Sequence, residues 1–327
     1  MIDLIYTDAH GEDQGILNAY QLDLAYGIDE NDFELTLPGG MLLEEKSRVY
    51  IEGTEWGGIV RGGRESVVDA NCTYVATGET WHGMLASTYA CFAGEYLSLR
   101  GEANEAIRTM IDVAQLQEAF DVSSEDSGID IEYEFPSMEN MYEGLCDMLS
   151  QAGAKLRIVK VQARNPMLSA APKGIYVDTD ELNKYGYELT WDTPVNHLIC
   201  VDAGDEEGER EILHLYADSE GVVSETQTLF GIDERQLVYE GGANEELRES
   251  GEKKLNELQQ VSTFELVLPN NAAFDIGDVV GVVSEKTGVS ITSTVTKAIV
   301  KIGQDGRAEV TNEIGEISAD AMQIGSR

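Results

Sequence analysis

Apolar and polar residues alternate near both ends of this chain, and the period lengthens in between. Short alternating runs at residues 2–7, 18–26, 33–37, 48–52, 57–64 and 72–78 are separated by turn formers such as Gly39-Gly40, Gly53 and Gly62-Gly63. A period of two at this spacing predicts the strands of a small barrel or sandwich. Trp81, Met84 and Leu85 then form a short apolar element within 80–89 that closes the unit. From about residue 97 the texture changes. Ala103, Ala106, Ile107, Met110, Ile111, Ala114 and Leu116 recur at helical spacing, which predicts an amphipathic helix over 102–120. A second helix is expected after Phe135-Pro136, with Ser137 as N-cap, Met141, Leu145, Met148 and Leu149 on one face, and Gly153 as its stop. Strands at 155–161 and 174–177 follow.

Alternation returns at 195–202 and 209–216, on either side of a hairpin-like loop at 204–208. Helices are expected over 233–238 and 244–260, then strands at 263–268, 279–283, 289–302 and 307–313. The expected fold is mainly β with α/β insertions. A first β-barrel takes 1–96, an α/β insertion domain 97–192, and a second, similar barrel 193–220 with 261–317. A helical insertion at 221–260 interrupts the second barrel, and 318–327 is a flexible tail.

The strands at 33 and 264 carry an echo. Phe33-Glu34-Leu35-Thr36-Leu37-Pro38 and Phe264-Glu265-Leu266-Val267-Leu268-Pro269 differ only in Thr against Val. Both of those residues are β-branched and suit a strand. The match continues without a gap for about twenty residues. Val49 and Ile51 fall on Val280 and Val282, and Gly57 falls on Gly288. One small β-unit therefore stands twice in the chain, a pattern of quasi-symmetric assembly rather than of one catalytic cleft. Residues 33–60 and 264–291 are expected to superpose. Phe33, Leu35, Leu37, Phe264, Leu266 and Leu268 are expected inside the two barrels, each strand ending at Pro38 or Pro269. Gly277 and Asp278 are expected to shape a tight turn into a strand.

Charge narrows the function. The 22 Lys and Arg face 61 Asp and Glu, a net charge of −39. Stable grip on nucleic acid needs clustered cations, so that role is disfavoured, as is binding to an anionic membrane. An acidic wall instead lets a polyanion slide past; solubility in a crowded or salty setting accounts for the charge equally well. No apolar run approaches the length of a membrane span, and the opening Met1-Ile2-Asp3-Leu4 lacks the features of a secretory signal. Cys72, Cys91, Cys146 and Cys200 form no CxxC pair, and buried reduced thiols are expected.

Candidate chemistry is sparse. His10, His82, His197 and His214 stand at no zinc spacing, although His197 and His214 fall on adjacent expected strands and are able to face each other. Phosphate-loop, nucleophile-elbow and dinucleotide fingerprints are missing. The acidic run 202–209 reads as a solvated hairpin tip, with Ca²⁺ coordination as the alternative. Paired carboxylates are inevitable among 61 acids, but Trp56, Trp81 and Trp191 are too scattered to line a sugar cleft. No catalytic, cofactor or metal residue is assigned.

Several segments resemble the tail-associated (Tal-like) tail-tip proteins of siphophages, relatives of the baseplate hub of contractile phages. They are 15–20 with 31–35, Val75–Glu79 with Met84-Leu85, and 193–204 with Arg210. The segment Phe274-Asp275-Ile276-Gly277-Asp278-Val279-Val280-Gly281, followed by Val289-Ser290-Ile291 and the closing Ile299-Val300-Lys301-Ile302, is the strongest. The likeness spans nearly the whole chain, and its motifs are structural. It implies a homotrimer whose two barrels per chain make a pseudo-sixfold ring. Such a ring joins the tail tube or distal tail protein to a spike or fibre at the virion tail tip, lets DNA pass, and is made in the bacterial host cytoplasm. Rival readings are a cell-wall hydrolase, a receptor- or glycan-binding tail module, and the hub of a phage-derived injection machine.

Overall fold

In the computed structural model of this chain, the alternation at 33–37 buries Phe33, Leu35 and Leu37 and turns Glu34 to solvent. The structure describes residues 2–38, 41–68, 71–162, 164–177, 187–190, 194–201, 212–219, 221–241, 247–259, 263–266, 274–283, 289–315 and 322–324. The first strands are β1 (Leu4–Thr7), β2 (Asp13–Leu17), β3 (Gln21–Gly27), β4 (Asp32–Pro38), β5 (Arg48–Tyr50), β6 (Gly57–Val68) and β7 (Asn71–Thr80), then helix α1 (Trp81–Ala86). Next come β8 (Tyr89–Ala90), β9 (Tyr96–Glu102), α2 (Ala103–Val113), β10 (Asp121–Val122), β11 (Asp130–Pro136) and β12 (Glu139–Asn140). They are followed by α3 (Met141–Gln151), β13 (Ala154–Val159), β14 (Met167–Pro172) and β15 (Ile175–Val177). The rest comprises β16 (Tyr187–Thr190), β17 (His197–Val201), β18 (Ile212–Ala217), β19 (Val223–Ser224), β20 (Gln236–Glu240), α4 (Leu247–Glu257) and β21 (Thr263–Leu266). The chain closes with β22 (Val279–Val283), β23 (Val289–Ile302), β24 (Ala308–Ile314) and β25 (Met322–Ile324).

Two units are distinguished. Unit 1 holds Met1–Tyr185, Val267–Glu285 and Thr292–Gly315; unit 2 holds Gly186–Leu266, Lys286–Ile291 and Glu316–Arg327.

The large sheet of unit 1 runs β15-β22-β23-β3-β4-β7-β6-β5-β1-β2, with β24 also paired to β23. Its path is open, and among the described residues no pairing closes it into a barrel. Leu22 and Leu24 on β3 stand opposite Leu35 and Phe33 on β4, in a core shared with Leu4, Leu17, Val49 and Val300. Burying each such side chain contributes about 1.5–3 kcal/mol. Strands expected in a second barrel enter this sheet: residues 297–302 of β23 pair with Gly27 to Leu22 of β3.

A second core in unit 1 gathers α1, α2, α3 and the strands around them, including Trp81, Leu85, Ile107, Met110, Phe135, Leu145 and Ile158. Thr80 caps α1, its hydroxyl accepting from Gly83 N–H at 3.2 Å. Helix α2 is shorter than the expected 102–120. Gln115 turns left-handed at φ 57°, its N–H donates to Asp112 O, and Leu116 N–H donates to Ile111 O. Those two bonds form a Schellman stop. Helix α3 is capped by Asn140 rather than Ser137: Asn140 Oδ1 accepts from the N–H groups of Tyr142 and Glu143. Ser137 instead donates its hydroxyl to Phe92 O. Gly153 follows its C-cap as expected, at φ 69°.

Unit 2 has a four-stranded sheet ordered β19-β18-β17-β20, with β17 and β18 antiparallel, and its core joins Leu198, Cys200, Leu215 and Ala217 to Leu255 of α4. The helix expected at 233–238 is replaced by a 3-10 turn, Gly231–Asp233, and β20, which pairs in parallel with β17. Leu237, Val238 and Tyr239 suit a strand, and the free edge of β17 supplies the ladder. Strand β25 lies within the expected tail and pairs with Val289 to Ile291. The cysteines are all free, and the expectation of four buried thiols fails. Cys200 is buried, Cys91 is exposed, and Cys72 and Cys146 are half-buried. Among the described residues no helix is long and apolar enough to cross a membrane.

Candidate functional site

The repeated segment recurs as a strand layout. In the first copy β4, β5 and β6 begin at Asp32, Arg48 and Gly57; in the second β21, β22 and β23 begin at Thr263, Val279 and Val289. The offset of 231 residues holds to within one residue at all three starts. In each copy the second and third strands are sheet neighbours. The third is long, 12 residues in β6 and 14 in β23, and pairs antiparallel with the next strand through one shift of register. The copies differ in the partners of their first strand. β4 lies between β3 and β7, whereas β21 pairs with β16, setting Phe264 opposite Leu189 and Leu266 opposite Tyr187. Pro38 ends β4 opposite Thr73. Leu268 and Pro269 lie outside the described residues, as does the acidic run 202–209.

Gly277 and Asp278 stand immediately before β22. Gly277 has φ 90°, a left-handed value that suits glycine, and a Cβ there would lie 2.8 Å from Lys155 Cβ. Gly277 N–H donates to Val295 O and Val295 N–H donates to Asp278 O, each at 2.8 Å. The turn thus clasps the backbone of β23. The Asp278 carboxylate is buried and well satisfied. Oδ1 accepts from Lys155 Nζ at 2.6 Å and from Gly174 N–H at 2.7 Å, while Oδ2 accepts from Asp275 N–H at 2.9 Å. Lys155 Nζ also donates to Asp275 Oδ2 at 2.7 Å.

Burial alone would lower the pKa of Lys155, but the hydrogen bonds and charges of Asp275 and Asp278 outweigh it and raise it. A lysine serves as a base or nucleophile when its pKa is depressed. Lys155 is instead a fixed cation, and the cluster joins β13 to the start of β22. Sequence reasoning singled out Gly277 and Asp278 but missed Lys155. Its only signal was a cation at the head of an apolar run.

In unit 2, His197 and His214 meet as their strand positions suggested. His197 Nε2 is 2.8 Å from His214 Nδ1, and His197 Nδ1 is 2.6 Å from Glu234 Oε1. Tyr216 lies against the His197 ring at 4.4 Å between centroids. Glu234 is held by the amides of Gln227 and Gln236, each at 2.9 Å. The Gln236 amide, then His197, keep its pKa below the ordinary glutamate value. Both nitrogens of His197 are engaged, so its ring is fixed in place. Among the described residues no group of three or more His, Cys, Asp or Glu is arranged to hold a metal ion.

No protein-family model matches the chain, and no curated protein matches it in sequence. Solved structures do. A 43 kDa tail protein of prophage MuSo2 from Shewanella oneidensis is 12% identical at TM-score 0.49, over 98% of this chain and 100% of that one. Prophage tail protein gp18 from Listeria monocytogenes is 13% identical at TM-score 0.48, over 97% and 95%. A chain of the phage P2 baseplate is 13% identical at TM-score 0.47, over 97% and 100%. These structural neighbours are phage tail and baseplate proteins.

Proposed function

We propose that this chain is a non-enzymatic structural component of a phage or prophage tail tip, at the position of a baseplate hub. Its two β-units act as barrel-like modules. Three chains then present six similar modules, so a homotrimer matches a sixfold tail tube on one side and a threefold spike or fibre on the other. The distal tail or tube protein and the spike or fibre are its partners, and its place is the virion tail tip after assembly in the host cytoplasm. The observation that carries this reading is the strand layout repeated at an offset of 231 residues, to within one residue. A closed ring satisfies the interfaces of such a duplicated module. The resemblance of residues 274–302 to the tail-associated family supports it, and the charge of −39 suits a lumen through which DNA slides.

Native mass spectrometry of the purified chain tests the assembly. The expected species contains three copies of the 35.8 kDa polypeptide. A stable dimer or tetramer would contradict it.

A further inference from the structure

Unit 1 carries a cleft of about 850 Å³ between the β1–β2 turn, the end of α2 with the residues after it, and residues 164–167. Arg48, Arg108 and Arg164 all line it, in a chain where 61 acids face 22 bases. Arg108 is occupied, pairing with Glu105 and donating to Ser123 O at 2.8 Å. The other two are not. Arg48 is half-buried, and among the described residues its guanidinium makes one hydrogen bond, to Asn165 Oδ1 at 3.2 Å. Arg164 is exposed, and its guanidinium has no partner among the described residues.

Lys160 builds the loop that presents Arg164 and Asn165. It is 1% exposed, and its Nζ donates to the carbonyls of Val161 and Arg164 and lies 4.2 Å from the Tyr50 ring centroid. Among the described residues no carboxylate stands at salt-bridge distance from Arg48, Lys160 or Arg164. Burial opposes the charge on Lys160 and Arg48, lowering both pKa values. Asp13, Asp121 and Glu52 offset part of this for Lys160 by charge, while most of the donors of Arg48 and Arg164 stay open to a carboxylate that enters the recess.

We propose that this cleft binds an acidic peptide segment of a partner protein, with carboxylates seated on Arg48 and Arg164. Guanidinium groups are suited to bidentate carboxylate recognition. Four carboxylates also border the recess: Glu12, Asp13, Asp112 and Asp121. Asp13 is already engaged, accepting from Tyr50 Oη at 2.7 Å. Glu12, Asp112 and Asp121 are placed to accept peptide N–H groups and to repel a dense polyanion such as a nucleic-acid backbone. Mixed charge of this kind selects a peptide carrying separated acids.

The test is fluorescence anisotropy with the full chain and a labelled designed peptide whose acids are separated, Gly-Asp-Ala-Gly-Glu-Ala-Gly. Saturable binding that weakens with salt is expected, with no binding of the Asn/Gln version. Arg164→Glu, at an exposed position, weakens it by about tenfold or more with thermal unfolding unchanged. Arg48→Gln weakens it as well. Failure of the wild-type chain to bind, or equal binding by the Arg164→Glu variant, overturns the proposal. So does full displacement by millimolar inorganic phosphate, which would mark a general anion site.

Discussion

Lys155 Nζ and Asp278 Oδ1 lie 2.6 Å apart although 123 residues separate them in the chain, and both side chains are buried. Removing the cation leaves a carboxylate without its counter-charge in the interior. Lys155→Met is therefore expected to destabilise unit 1 by about 3 kcal/mol, the lower end of the range for a broken buried pair, because Gly174 and Asp275 N–H still serve Asp278. Adding Asp278→Asn recovers part of the loss. Urea unfolding of the three proteins measures both steps.

The same pair has a pH signature. The folded pKa of Lys155 is raised, so its contribution is complete below the ordinary lysine value of 10.5 and is lost as pH climbs through the folded value above it. Urea unfolding from neutral pH to above 10.5 measures this. The deficit of Lys155→Met against the parent is expected to be full at neutral pH and to shrink as pH rises through the folded lysine value.

At the acid end the informative group is Glu102, the N-cap of α2. Burial favours its neutral form, but the Ser127 hydroxyl and the N–H groups of Asn104, Ser127 and Glu105 prevail and pull its pKa down to about 2. Its contribution is present above the ordinary value of 4.5 and disappears as pH falls through about 2. Glu102→Ala should cost about 1 kcal/mol at neutral pH, and the deficit should shrink towards pH 2. Thermal melts across that range check the sign.

Phe33 stands opposite Gly78 in the β4–β7 register, and its ring fills the space a side chain would take. A Cβ at Gly78 would lie 2.1 Å from Ile59 O and 2.6 Å from Phe33 Cε1. Phe33→Ala is expected to cost about 3–5 kcal/mol through the cavity it leaves. Gly78→Ala should also destabilise, and adding Phe33→Leu should not rescue it, because the Ile59 carbonyl remains in the way. Chemical denaturation of the single and double variants decides this.

Much of the β-structure was legible because short-range alternation decides which side of a sheet a residue faces. The strands around Phe33, Val49, Ile59 and Val75 and the amphipathic start of α2 followed from it. What escaped depended on contacts distant in sequence or on unusual backbone. Gln115 ends α2 in a conformation that glycine usually marks, so the stop carried no glycine signal. Residues 236–240 are a strand because β17 offers them an edge. The joining of β23 to β3 brings Ala298 opposite Tyr26, a pairing no local pattern announces. At the site, Gly277 and Asp278 were visible as turn formers, while Lys155 becomes meaningful only once the chain has folded.

The central claim is that residues 33–60 and 264–291 are two copies of one module arranged for a ring. Cryo-electron microscopy of the assembled oligomer tests it most directly. The expected map shows three chains in a ring, with the two segments superposing through a rotation of about one sixth of a turn about its axis. An assembly without a ring, or one in which strands from 264–291 follow a course unrelated to 33–60, would contradict it.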